Sequence, residues 1–182
     1  LNVSALDALV MQLDGLDGSA ASKWCEDLRC TSGAIACIAN LLADPEPAVH
    51  GPALMLVAMC TCADVDAACG ATLSMLREAG AFRHVCNHLL ISAQPFTVAL
   101  ACAACQNASL DPPTVVELLE ESGVAERLSQ LKGCRQPAIV QAASAALANL
   151  ERTAALMAHA LASVRRLQLH WRNTRHRRAI RR

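Results

Sequence analysis

Two histidines four residues apart, His84 and His88, form the pair in this chain best spaced to hold a metal ion. On a helix, residues i and i+4 share a face, and imidazole is a common zinc ligand. Cys86 between them falls on the opposite side, so a third ligand would have to come from elsewhere. Cys102 and Cys105 have the Cys-x-x-Cys spacing of a redox pair. Such pairs draw their reactivity from a helix start that stabilises the thiolate, whereas the surrounding VALACAACQNA reads as helix interior. Glu120 and Glu121 are adjacent carboxylates at a helix end, with no partner acid in view across a cleft. There is no Gly-rich phosphate loop, no nucleophile elbow and no H-E-x-x-H. An enzyme is therefore not expected, and no metal or cofactor is called for.

The elements that must position any site are written three times over. The strings beginning SGAIACIANLLADPEPAVHG, AGAFRHVCNHLLISAQPFTVAL and SGVAERLSQLKGCRQPAIVQAA share one order. Each has a small-Gly step, an apolar helix, a Pro-marked turn and an Ala-rich helix. Gly33, Gly80 and Gly123 are 47 and 43 apart, and Pro47, Pro95 and Pro137 follow them by 14, 15 and 14 residues. A repeat of this length without strands predicts an all-α, right-handed α-solenoid of about three repeats plus a long C-terminal helix. Solenoids present a long surface rather than enclosing a pocket, so the expected function is interaction.

Along the chain, periodicity and breakers predict helices over 4–13 and 19–29, the second with Ser19 or Ser22 as N-cap. Further helices open after Gly33 and close at Leu41–Leu42, run from Pro47 to about Thr61, and link 65–78. Others cover 82–91, 96–108, 114–121, 124–131, 138–150 and, as one long last helix, 153–178. Three segments follow: 1–30 as N-terminal helices forming a partial or capping repeat, 31–152 as the repeats, and 153–182 as a basic amphipathic helix.

Composition fits this plan. Hydrophobic residues make up 54% of the 182, aromatics only 2%. Small side chains let helices approach closely. Ten cysteines sit among Ala and Leu at helix-like positions, where Cys acts as a small hydrophobe. They are expected to be reduced, mostly buried and unpaired, which points to a reducing, cytoplasmic compartment, the cytoskeleton included. The longest apolar run, 53–63, is too short to cross a membrane. The chain begins on Leu and stops inside a charge run, and is read as a piece of a longer protein. Residues 1–151 carry seven Lys/Arg against sixteen Asp/Glu, a net −9, while residues 152–182 carry nine Arg and no acid, a net +9. An acidic body with a basic tail is a charge asymmetry that needs a use.

The stretch QNASLDPPTVVELLEESGVAERLSQL followed by PAIVQAASAALANL resembles the armadillo repeat. That repeat has three helices, the last ending in Ala-x-x-Ala-Leu-x-Asn-Leu. Residues 143–150 fit this ending at every fixed place, and 101–108 fit it loosely, with Cys105 and Ala108 in the Leu places. The resemblance covers about 30–152; HEAT repeats are the nearest rival. It implies a concave groove lined by the third helices that takes protein partners. It also implies that Asn107 and Asn149 hydrogen-bond a partner's backbone, unless they cap or bridge helices instead. The first repeat departs, with Ala58 or Met59 in the Asn place. The aromatic four residues earlier is replaced by Ala103 and Ala145, which counts against an extended basic peptide.

The tail resembles an IQ motif, the helix held by calmodulin-like EF-hand proteins. Leu167-Gln168 is followed by Arg172 and Arg177, with Asn173 in the usual Gly place. At 100° per residue, Leu156, Met157, Ala160, Leu161, Val164, Leu167 and Trp171 share a face, and arginines fill much of the rest. Val164, Leu167, Gln168, Trp171, Arg172 and Arg177 are the candidate contacts. Competing readings are an apolar cap on the solenoid over 156–164, nucleic-acid phosphate on the arginines, an anionic membrane, and docking on the protein's own acidic body.

Overall fold

The computed structural model describes residues 3–180, with side chains from Val3 to Gln168. Ten α-helices and no strand occur among the described residues: α1 Val3–Asp14, α2 Gly18–Cys30, α3 Ala34–Leu42, α4 His50–Cys60, α5 Cys69–Glu78, α6 Ala81–Ile91, α7 Pro95–Ala108, α8 Pro112–Glu120, α9 Val124–Leu131 and α10 Pro137–Ile180. A 3₁₀ turn, Pro47–Val49, leads into α4.

The chain is an α-solenoid of three-helix units: α2–α3–α4, α5–α6–α7 and α8–α9–α10. Like stacks on like: α1, α4, α7 and α10 lie side by side, α3, α6 and α9 form the next row, and α5 stacks on α8. Within each unit the first-to-second helix corner needs a left-handed residue. Gly33, Gly80 and Gly123 supply it, with φ of 77°, 72° and 93°. L residues avoid that region because Cβ crowds the next carbonyl. Proline opens the third helices or their lead-in at Pro47, Pro95 and Pro137, where a missing N–H costs nothing.

One core runs through all three units, from Leu6 to Leu150. It is built of Leu, Ala, Val and Cys, with Phe82 as its largest fully buried side chain. All ten cysteines are free thiols; Cys25, Cys60, Cys86, Cys102 and Cys105 are buried, four are half-buried, and Cys30 is exposed.

Several local expectations are corrected. The N-cap of α2 is Asp17, whose carboxylate accepts from Ala20 N–H at 3.4 Å; Ser22 instead donates to Asp66 at 3.0 Å. The linking helix starts at Cys69 rather than 65, because Asp66 is buried and shapes the preceding loop. Its oxygens accept from Ser22 Oγ, from Ala68 N–H and from Arg29, which also donates to Thr72 Oγ1 at 2.9 Å. The α8 helix starts at Pro112, two residues early, with Asp111 as its cap at 3.1 Å from Thr114 N. The 138–150 and 153–178 helices are one, α10, since Glu151-Arg152 offers no breaker where the other units have loops at 61–68 and 109–111. Finally, 156–164 does not cap the solenoid: Leu156, Leu161 and Val164 are exposed, and of the apolar residues in that stretch only Met157 packs on the core.

Candidate functional site

The last four carbonyls of a helix have no intrahelical donor. In this chain the next unit supplies one. Asn107 Nδ2 donates to Ala58 O at the end of α4, at 2.8 Å. One unit on, Asn149 Nδ2 donates to Gln106 O at the end of α7, at 3.2 Å. Thr153 Oγ1 donates to Ser109 O at 2.9 Å. The two asparagines thus repeat one bond, each tying its third helix to the one before. Both side chains are half-buried, and Asn149 Oδ1 also accepts from Arg152 at 2.9 Å. The first unit has Met59 at this place.

The face of α4, α7 and α10 turned away from the second helices carries half-buried small or flexible residues. Gly51, Met55 and Met59 on α4 are followed by Ala99 and Ala103 on α7 and Ala145 on α10. At the α1 end this face deepens into a groove of about 300 Å³. Its walls are Val3 and Val10 of α1, Pro52 and Met55 of α4, and Phe96 of α7. Phe96 is 61% exposed, and its ring lies over Gly51, where an added Cβ would come within 3.5 Å of it. Asp7 is the only charged residue in the lining. Sequence reasoning missed this groove, because α1 reads as an isolated short helix until it is seen stacked on α4.

The residues with catalytic spacing do other work. His88 Nε2–H donates to Leu42 O at 2.8 Å and His50 Nε2–H to Asp44 O at 2.7 Å, so one ring caps the end of α3 and the other the turn that follows it. Their centroids are 4.5 Å apart. His84 does not join them as a ligand set, and no group of three metal-binding side chains occurs among the described residues. Burial lowers the pKa of His88; the Leu42 carbonyl opposes this, and His50 and His84 add to it. Burial pushes the Cys102 thiol up to about 12, and the hydrogen bond with Cys86 together with burial pushes Cys105 well up. Thiols held in that state are poor nucleophiles. Around Arg77, a groove of about 300 Å³ is lined by Arg83, Glu117, Glu120 and Glu121. Arg77 faces Asp111 at 3.5 Å, and burial raises the pKa of Glu117 despite Arg77.

Solved structures with this arrangement include a designed armadillo repeat protein, at TM-score 0.60 and 23% identity over 80% of this chain and 64% of that one. A second designed armadillo repeat protein, in complex with the peptide (KR)4, matches at TM-score 0.59 and 23% identity over 79% and 63%. Computationally designed armadillo repeat proteins for modular peptide recognition match at 0.55 and 22% over 80% and 64%. The fold is armadillo-like. The chain spans less than two thirds of the length of these structures. No protein-family model matches the chain, and no curated protein does.

Met55, Phe96 and Ala103 share the face of the third helices on which this groove opens. Asn107 and Asn149 sit at the far end of those helices from the groove at Phe96. The tail is largely exposed over the residues whose side chains are described. From Ala158 to Gln168 every side chain is exposed except Ser163, which donates back to His159 O at 3.0 Å. Val164, Leu167 and Gln168 are thus exposed, with Leu167 at 70%. The side chains of Trp171, Arg172 and Arg177 lie outside the described residues. Among those residues, no helix is long and apolar enough to cross a membrane.

Proposed function

We propose that this chain is a non-enzymatic scaffold that binds protein partners on the inner face of its third helices. The observation that carries this is the open, largely apolar groove between α1, α4 and α7, with Phe96 exposed in its wall. A large exposed aromatic beside a concavity is the usual form of a binding anchor. The neighbours support the reading: one holds a (KR)4 peptide and another was designed for modular peptide recognition. This groove has one acid and no ladder of aromatics, so it favours partners that offer apolar side chains over an extended basic peptide. Asn107 and Asn149 each spend one amide proton on a neighbouring carbonyl. Contact with a partner falls to the second amide proton and to Asn107 Oδ1. Capture of partners by wild type but not by Phe96→Asp, at unchanged helicity, is the expected result. Equal capture by both moves the binding face elsewhere.

The tail carries a second role in this proposal, as a ligand for a calmodulin-like EF-hand protein. Its support is the exposed stripe Leu156, Val164 and Leu167 on a largely exposed stretch of helix, continuing to Trp171 in sequence. An amphipathic helix of this kind lays its apolar face in a groove and its arginines on acidic rims. Titration of a Trp24→Phe variant with calmodulin, with and without calcium, reads Trp171 alone. The expected outcome is a spectral shift at micromolar partner. No shift in either state, together with salt-dependent RNA binding, favours the alternative: a structural protein of a nucleic-acid assembly that uses exposed Arg165, Arg166 and the arginines beyond on phosphate.

A further inference from the structure

We propose that the basic helix extending from α10 docks in the groove between α1, α4 and α7 of a second copy of this chain. The inference rests on that groove being a binding face. It adds the identity of one occupant, and four observations lead to it.

The tail cannot reach its own groove. α10 is one helix from Pro137 to Ile180 with no turn inside it. Among the described side chains, the last hydrogen bond from it to the body is at Thr153. At 1.5 Å per residue the 28 residues from 153 to 180 reach about 42 Å outward. The groove lies at the N-terminal ends of α4 and α7, at Gly51 and Phe96, whereas the tail runs on from the C-terminal side of α10, beyond the ends of those helices. Docking of the tail on its own body would require breaking the helix.

The tail also has an unanswered apolar stripe. Leu156, Ala160, Val164 and Leu167 follow one another on successive turns, with Leu156 64%, Val164 49% and Leu167 70% exposed. Arg165 and Arg166 lie well round the helix from it and are exposed as well.

The groove matches in character and size. Val3, Val10, Met55 and Phe96 are apolar, and Asp7 is the only charge in the lining. None of the body's seven cations lines it. A space of about 300 Å³ admits side chains but not a helix 10–12 Å wide. The tail would therefore lie across the mouth and insert its leucines, over a floor kept low by Gly51 and Pro52.

Charge completes the match. The body's net charge is −9 and the tail's is +9. Opposite fields of this kind speed encounter and fix orientation, and they are screened by salt. Each copy offers one tail and one groove, so two copies exchanging tails close a two-fold dimer.

The test is light scattering on the full chain across concentration at low and high salt. Dimer at low salt that dissociates at about 0.5 M salt is expected, since the Debye length there falls below that at 0.15 M, about 8 Å. Leu167→Asp and Phe96→Asp, both at exposed positions, should each be monomeric alone with unchanged helicity. Mixed together they should form a one-to-one heterodimer, because one retains a groove and the other a tail. A wild type that stays monomeric to about 100 μM at low salt overturns the proposal. So does association that survives Phe96→Asp, or variants that fail to complement. A monomeric wild type whose groove still captures other partners sinks only the self-docking and leaves the scaffold reading standing.

Discussion

Asp66 shows how one buried charge can set the course of the chain. Burial alone would raise its pKa, but Arg29, the Ala68 N–H and Ser22 outweigh burial and hold it below the usual 3.8. Its carboxylate joins α2, the 61–68 loop and, through Arg29, α5. Removing one partner of a buried pair strands the other, at a cost of about 3–5 kcal/mol. Asp66→Asn should therefore lower stability by about 3 kcal/mol in urea titrations at pH 7. The folded pKa is the lower one, so this stabilisation is present above 3.8 and is lost as pH falls through the folded value. The wild type should show that acid limb and Asp66→Asn should lack it. His88 gives a second window. Burial depresses its pKa below 6.5, so the unfolded chain binds the proton first and stability falls as pH drops from 6.5 toward the folded value. His50, on the facing helix, and His84, one turn back, work in the same direction. In a His88→Gln variant, which keeps a donor for Leu42 O, the pH 5–7 slope of the unfolding midpoint should flatten. An unchanged slope would place the titrating group elsewhere.

At the scale of elements, the contrast between the two halves of α10 makes a direct prediction. Residues 139–150 pack against α7 and α9, with Ile139, Ala143, Ala146 and Leu150 buried. Residues 158–168 are helical and, apart from half-buried Ser163, exposed, and helices without much tertiary burial are marginal in water. Amide exchange should be slow over 139–150 and faster by orders of magnitude over 158–168 in the free monomer. Equal protection would mean that the tail is covered. This is also where the sequence was easiest and hardest to read. The Gly and Pro punctuation is a backbone requirement, φ > 0 at Gly33, Gly80 and Gly123, so it announces the corners whatever packs around them. The fusion of 138–150 with 153–178 depends on the absence of a breaker at Glu151-Arg152, which is a weaker signal than a breaker's presence. The start of α5 at Cys69 depends on Arg29 and Ser22, 37 and 44 residues away from Asp66, and no local pattern carries that. The asparagines were legible as a repeated place, while their carbonyl partners on the preceding unit were not. The groove at Phe96 needs α1 beside α4, a pairing no spacing in α1 announces.

For the whole molecule the question is whether three stacked units behave as one. A solenoid's stability is a sum of unit terms and nearest-neighbour interfaces, and cooperativity survives where the interfaces dominate. Here α6 packs against α3 of the first unit, α5 and α7 of its own, and α8 and α9 of the third. His88 and Arg127 add hydrogen bonds between adjacent units, to Leu42 O and Leu89 O. The units are short, with second helices of 8 to 11 residues, so none has enough private core to stand without its neighbours. Leu89, with no exposed surface, lies in the middle of this network. Leu89→Ala should cost about 2–5 kcal/mol through lost transfer energy and the cavity left behind. The more telling result is where that loss is felt. In a Trp171→Phe background, Trp24 on α2 reports the first unit, and far-UV dichroism reports all the helices. If the central unit holds the ends together, both signals should shift by the same amount and stay coincident in Leu89→Ala. If the first unit stands alone, the Trp24 transition should stay at its wild-type midpoint while the dichroism moves.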